Sequence, residues 1–356
     1  MSSFNRITSC LTANRSAAGR FATLLLRYIG ITAAVAITLG TTPARSADSI
    51  SVGYQPIING PLWIARHEGY FDKLGLKVNW IKFTSGAAQY AALAGDRINL
   101  AWGGVGPQLL AYANGADVHW IATVMDYNGV EAIVVPPSST VKSIKELSGK
   151  KIGLVTGSDA HYGLLKALQE NGMSPHSINI LNMQPPQQVA ALLNGDVDAV
   201  FTWAPFLFQL QDRGAHAIFN NGDLKYGPGY LGWAGKKAWL DRHRSDILKL
   251  LRGWDMGLQK MKEAPQLAIR YTVEYTGMDK HQAEEGQKAL RYFPADGMLD
   301  PNSPVYWSST SGLHGFLDDY AKFAQTYKLV KSVPDVDSYM MTDFVKAYRK
   351  SKESHR

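Results

Sequence analysis

Cysteine is nearly missing from this chain of 356 residues: the single one, Cys10, lies close to the N-terminus. From residue 11 onward there is no disulfide, no thiol nucleophile and no thiolate to hold a metal. Acidic residues are missing from the first 47 positions, and Asp48 is the first to appear. No G-x-S-x-G elbow, H-E-x-x-H pair or G-x-x-x-x-G-K-[ST] loop occurs, which removes the commonest serine-hydrolase, zinc-hydrolase and nucleotide-binding readings. The glycines around Gly106 lack dinucleotide-binding spacing, and the scattered histidines form no metal-ligand constellation. Neither a metal nor a cofactor is expected.

What the N-terminus has instead is a targeting pattern. Arg6, Arg15, Arg20 and Arg27 precede a twelve-residue apolar stretch, Tyr28–Leu39, and Ala44 and Ser46 place small side chains where a signal peptidase reads. Twelve is short of the roughly 18 apolar residues that span a bilayer, so residues 1–46 are expected to be a signal peptide cleaved after Ser46. The arginines are too dispersed for a twin-arginine signal, which leaves the general secretory route. Ile7–Cys10 resembles a lipoprotein box but precedes the apolar stretch. Removing the leader takes five of the 37 basic residues and none of the 30 acidic ones, lowering the formal net charge from +7 to +2. Nucleic acid and membrane surfaces lose their support as partners.

About 310 residues remain, enough for two packed domains. Strand-like runs at Ser49–Tyr54, Lys77–Phe83, Ile98–Trp102 and Trp120–Met125 alternate with helical ones around Leu62–Ala65, up to Ala94, and at Pro107–Ala113. Gly129–Pro137 is apolar and ends in a double proline, which suits a crossing segment better than a sheet centre. The alternation restarts at Lys151–Val155 and runs through Ala160–Asn171, Ile178–Met183 and Gln187–Leu193 to Ala199–Trp203. Gly227–Gly235 then carries the chain back, and Asp241–Met261, Lys280–Tyr292 and Thr310–Thr326 read as helices. The expectation is an α/β fold of two lobes joined by two crossing segments, with a ligand cleft between them. Residues 47–134 begin lobe 1, 135–230 form lobe 2, 231–346 return to lobe 1 with the C-terminal helices, and 347–356 are a polar tail.

Open α/β sheets bind ligands beyond the C-terminal ends of their strands, which selects Tyr54-Gln55, Thr84–Ala87, Trp102–Gly106, Thr156–Tyr162 and Trp203–Pro205. Three of these loops pass from strand to helix through small or hydroxylated residues, so backbone N–H groups and helix-dipole positive ends face the cleft. That is an anion site built from backbone. Ser85 and Ser158 either donate hydroxyls to a ligand or only cap their helices. His161, at a helix start, has no structural partner visible in sequence. Gly103 and Gly104 permit close approach of a ligand to the main chain. Trp102 and Trp203 either line the cleft or fill the lobe cores. Glu131, in an apolar strand, reads as a hinge salt bridge.

Five motifs occur in order: Lys82–Ala87, Ala92–Asp96 (ALAGD), His161-Tyr162, Met183–Pro186 and Asn194–Ala199 followed by Trp203-Ala204-Pro205. In these the chain resembles the taurine, alkanesulfonate and nitrate family of periplasmic binding proteins, nearest its taurine branch. The resemblance implies a type II periplasmic-binding fold without catalysis. It places the anionic headgroup on Ser85-Gly86-Ala87, Gly103-Gly104-Val105 and His161-Tyr162, with Tyr54, Gln55 and Trp203 around the tail. It also implies a periplasmic monomer that hands its ligand to an ABC permease in the inner membrane. The taurine branch carries an acidic residue before a tryptophan in the returning segment, suited to an amine; here that stretch reads Tyr230-Leu231-Gly232-Trp233-Ala234. The expected ligand is therefore an amine-free sulfonate or related carboxylate, with an aromatic tail suggested by Trp102, Trp203 and Trp233. A desulfinase-like or pyrimidine-precursor enzyme on the same fold, and a periplasmic ligand sensor, are the alternatives.

Overall fold

The structure, a computed structural model, describes residues 49–354 apart from 226, 228 and 309–311. The expected leader lies outside the described residues. Among the described residues, eleven strands fall into two sheets. The first contains β1 (Ile50–Tyr54), β2 (Val78–Lys82), β3 (Leu100–Gly104), β4 (His119–Asp126), β10 (Tyr230–Gly235) and β11 (Arg291–Tyr292) in the order β11-β4-β10-β3-β1-β2. The second contains β5 (Glu131–Val135), β6 (Lys151–Leu154), β7 (Asn179–Asn182), β8 (Ala199–Trp203) and β9 (His216–Asn220) in the order β7-β6-β8-β5-β9. Within each sheet the early strands run parallel, and the strand entering from the other lobe, β10 or β5, is antiparallel to its neighbours. Parallel strands need covered crossovers, and the helices Gly86–Ala94, Val105–Ala113, Asp159–Glu170 and Pro185–Asn194 supply them.

The chain crosses between the lobes twice, at residues 127–130 and 221–229, and the two passages are stitched together. Tyr127 N–H donates to the Gly229 carbonyl at 2.7 Å. Gly229 N–H donates to Asn128 Oδ1 at 2.8 Å, while Asn128 Nδ2 donates to Asp126 Oδ1 at 2.8 Å. Arg291 in turn holds Asp126. The polar groups of Tyr127, Asn128, Asn221 and Gly229 need such partners because these residues are buried.

Four expectations change. β5 pairs with β8 on one side and β9 on the other, so it is interior to the second sheet, and the first lobe ends before residue 131 rather than at 134. The double proline follows the strand instead of belonging to it. Arg291-Tyr292, expected as the end of a helix, forms β11 after the helix Lys280–Lys288. The expected polar tail is mostly a docked helix, Asp343–Glu353: Tyr348 is buried and bonds Asp255 at 2.8 Å, and Lys352 reaches Asp255 and Asp296 at 3.1 Å each.

One apolar core runs through both lobes, and a smaller one behind the second sheet gathers Val134, Leu192, Val200, Leu207 and Leu210. The helix Gly60–His67 lies on Arg244–Glu263 with the Pro61 carbonyl pressed against Gly257. Gly232 is the tightest point of the first sheet. It sits at a register shift of β10, and a methyl group there would collide with the Ala122 carbonyl and the Trp120 ring. Forcing atoms into a packed core costs about 1–3 kcal/mol or more. Gly232→Ala should therefore lose at least about 2 kcal/mol in urea unfolding; an unchanged midpoint would refute this packing.

Candidate functional site

The C-terminal ends of β1, β3, β6 and β8 meet at the waist around a small cavity lined by Gln55, Ile57, Gly86, Gly104, Pro107, Tyr127, Glu131, Ser158, Asp159, Trp203 and Leu231. Its volume is about 30 Å³, the room of roughly one water. Three helices begin here. Ser85, fully buried, caps Gly86–Ala94 by accepting from Ala88 N–H at 3.4 Å. Gly104 opens Val105–Ala113 with no side-chain cap. Ser158 caps Asp159–Glu170, accepting from His161 N–H at 3.4 Å and donating to the Val155 carbonyl at 2.7 Å. Two tyrosines fix the Gly104-Val105 turn: Tyr90 donates to the Gly104 carbonyl at 3.0 Å and Tyr339 to that of Val105 at 3.2 Å. The turn from lobe 1 meets the helix start of lobe 2, with Asp159 lying directly against Gly104 and Gly106.

The sequence-selected residues divide. Gln55, Gly86, Gly104 and Trp203 line the cavity. Ser85, Ala87, Gly103 and Val105 belong to the same two turns but lie behind its surface, and Gly103 faces the Tyr90 hydroxyl and Gln89. Trp102 is fully buried in lobe 1, its ring centroid 6.4 Å from that of Trp233; both are core side chains and supply no aromatic wall. Tyr54 packs edge-on to Trp63 and Trp80, and with Tyr275 these rings surround the Arg66 guanidinium at 4.5–5.3 Å. A side chain at the end of β1 alternates between faces, and Tyr54 takes the one away from the waist.

His161 does have a structural partner: its Nδ1 accepts from Gly157 N–H at 3.2 Å, which closes the loop before its helix. Burial pushes its imidazole down to about 4. Tyr162 points at the C-terminal helix Gly312–Thr326, where its hydroxyl donates to Asp319 Oδ2 at 2.6 Å and its ring packs with Phe316, Tyr320 and Phe323.

Two lining groups were given no such role by the sequence reading. Glu131 is buried and makes no hinge salt bridge among the described residues; its Oε2 accepts from Asn221 Nδ2 at 2.7 Å. Burial raises its carboxyl to about 7, the Asn221 bond opposing and the Asp126 charge adding. Asp159 is raised well above the usual carboxylate range, by burial first and by the charge of Glu131 second. Leu231 does line the cavity without a carboxylate of its own, but two carboxyls arrive from lobe 2, so the premise that excluded an amine fails. An acid at the first position of a helix reads in sequence as ordinary dipole complementarity, which is why Asp159 gave no signal.

Opposed helix N-termini across a doubly crossed waist define the class: a two-lobed binding-protein fold. The periplasmic aliphatic sulphonate binding protein SsuA from Escherichia coli superposes with a TM-score of 0.67 at 20% identity, covering 83% of this chain and 98% of that one. The desulfurization enzyme DSZB also superposes, with a TM-score of 0.65 at 16% identity over 87% and 100% of the two chains, so the fold alone does not separate binder from enzyme. In sequence the chain is 30% identical over 247 residues to a putative aliphatic sulfonates-binding protein of Bacillus subtilis (strain 168), covering 67% of this chain and 73% of that protein. It is 30% identical over 199 residues to the taurine-binding periplasmic protein of Escherichia coli (strain K12), covering 55% and 61%. The chain belongs to the NMT1/THI5-like family, which it matches over residues 59–268.

The buried acid carries a pH signature. A carboxyl that titrates higher in the fold than in the unfolded chain keeps its proton there, so its contribution favours folding below 4.5 and is lost as pH rises to about 7. His161 acts with the opposite sign, weakening the fold as pH falls from 6.5 towards about 4. Comparing native protein with Glu131→Gln removes this acid together with the rise its charge imposes on Asp159. The variant should gain up to about 3 kcal/mol relative to native between pH 4.5 and 7, measured by urea unfolding across that range; parallel pH curves would refute it.

Proposed function

We propose that the mature chain is the periplasmic solute-binding component of an ABC importer, a monomer that captures a small organic sulfonate between its lobes and delivers it to an inner-membrane permease. The observation that carries this reading is the convergence of three helix N-termini on one interlobe cavity. Each presents unpaired N–H groups and roughly half a positive charge to an anion. The relatives named for aliphatic sulfonates and taurine support the ligand class, and the periplasmic name of the second supports the compartment.

The site chemistry favours binding over catalysis. Of the lining hydroxyls, Ser158 is committed to capping its helix and to the Val155 carbonyl and Tyr127 to the Ala204 carbonyl, and the nearby His161 nitrogen Nδ1 is committed to Gly157. A nucleophile needs a base within hydrogen-bond reach, and none of these groups is free to form such a pair. A ligand that touches both lobes only when they are closed would shift the population towards closure.

The test is calorimetry and thermal unfolding of the chain from Ala47 onward with alkane- and arylsulfonates, taurine, sulfate, nitrate and small carboxylates. A sulfonate at 100 times its Kd should add about 2.7 kcal/mol of stability, with nitrate and sulfate adding little. Stabilisation by no sulfonate would overturn the reading, and release of sulfite from a bound substrate would move it to the enzyme class.

A further inference from the structure

The waist carries charge that a receptor for a plain anion does not need. Glu131 and Asp159 reach one cavity from two elements, β5 and the helix Asp159–Glu170, and are 5% and 9% exposed. Asp159 Oδ1 is buried with no hydrogen-bond partner. The groups around it are the carboxyl of Glu131 and the hydroxyls of Tyr90, Tyr320 and Tyr339, of which Tyr90 and Tyr339 are spent on backbone carbonyls. Two cations on neighbouring elements serve elsewhere: Arg291 holds Asp126 and Lys166 holds Asp319 at 3.0 Å. Among the described residues no lysine, arginine or histidine lines the cavity. Acids buried this deeply are ordinarily paired, and among the described residues neither makes an ion pair with a cation.

We infer that Asp159 and Glu131 form a site for a cationic nitrogen on the ligand, whose anionic end faces the helix N-termini at Ser85-Gly86 and Gly104-Val105. The favoured ligand is then a small zwitterion, an aminosulfonate, rather than a plain sulfonate. This rests on the waist cavity being the ligand site. Two of the three helix N-termini, at Ser85-Gly86 and Gly104-Val105, come from lobe 1, while both carboxyls and the third N-terminus come from lobe 2. A zwitterion spanning them bridges the lobes, whereas a plain anion brought against two acids is repelled by the lobe that must close on it. Gly104 and Gly106 let the Asp159 carboxyl pack directly on the lobe 1 turn, since a side chain at either position would collide with it.

Calorimetry with a matched set distinguishes the possibilities: taurine, ethanesulfonate, which lacks the amine, and ethylamine, which lacks the sulfonate. Native protein should bind taurine at least about tenfold more tightly than ethanesulfonate, and the advantage should fall to about twofold or less in Asp159→Asn and in Glu131→Gln. Thermal unfolding of each variant checks that it is folded, and ethanesulfonate should bind Asp159→Asn at least as well as native protein. Equal or tighter binding of ethanesulfonate by native protein overturns the cation site and leaves the sulfonate reading standing. So does a taurine advantage that survives in both folded variants. Binding of ethylamine alone overturns the sulfonate reading while supporting the cation site, and binding of none of the three overturns both.

Discussion

The opposed N-termini of the helices Gly86–Ala94, Val105–Ala113 and Asp159–Glu170 set the electrostatics on which the rest of the waist depends. In a parallel sheet every crossover helix starts at the same edge, so two such sheets facing each other must bring their helix dipoles head to head. The positive potential there needs no side-chain cation, and among the described residues the cavity lining contains none. What the sequence adds is the means of holding the turns still. Tyr90 and Tyr339 bond the carbonyls of Gly104 and Val105, which fixes both peptide planes at the start of their helix.

That potential also explains how two carboxyls are tolerated at depth. An isolated buried carboxylate costs several kcal/mol, and the rise in both acids records that cost as protonation. Helix N-termini offset part of it, and the Asn221 hydrogen bond to Glu131 offsets more. The waist is thus a balance of helix N-termini from both lobes and acids from lobe 2. The stitched crossings, Tyr127 to Gly229 and Asn128 to Asp126 and Gly229, keep the balance in register while leaving both lobes attached by short segments.

Most of the architecture was legible because it follows from local pattern. Apolar runs of four to six residues bounded by glycine gave the strands, and Ser85 and Ser158 marked their helix starts where the structure has them. The failures share a cause, which is that sequence does not say which way a side chain turns at a strand end. Tyr54 and Trp102 sit at the right height for a cleft and face the core. Trp203, at the equivalent end of β8, faces the cavity. His161 was read as unpartnered because its acceptor role to Gly157 exists only once the loop closes. Glu131 and Asp159 come together from residues 28 apart, and nothing local in either stretch announces the pairing.

Volume constrains how the cavity can be used. About 30 Å³ holds one water, and an aminosulfonate is several times larger, so a ligand reaches the helix N-termini only when the lobes part or Asp159 swings aside. Parting must break the bonds that span the lobes away from the cavity. Asp319, on the helix Gly312–Thr326 of lobe 1, takes both the Tyr162 hydroxyl and the Lys166 ammonium from lobe 2. These contacts stabilise the closed form with or without a ligand, so they set the baseline of the equilibrium but not its response. The response comes from whatever interacts differently with the open and closed forms. The carboxyls are buried where the lobes meet, and in the proposed site a cation that neutralised them there would offset the cost of burying them.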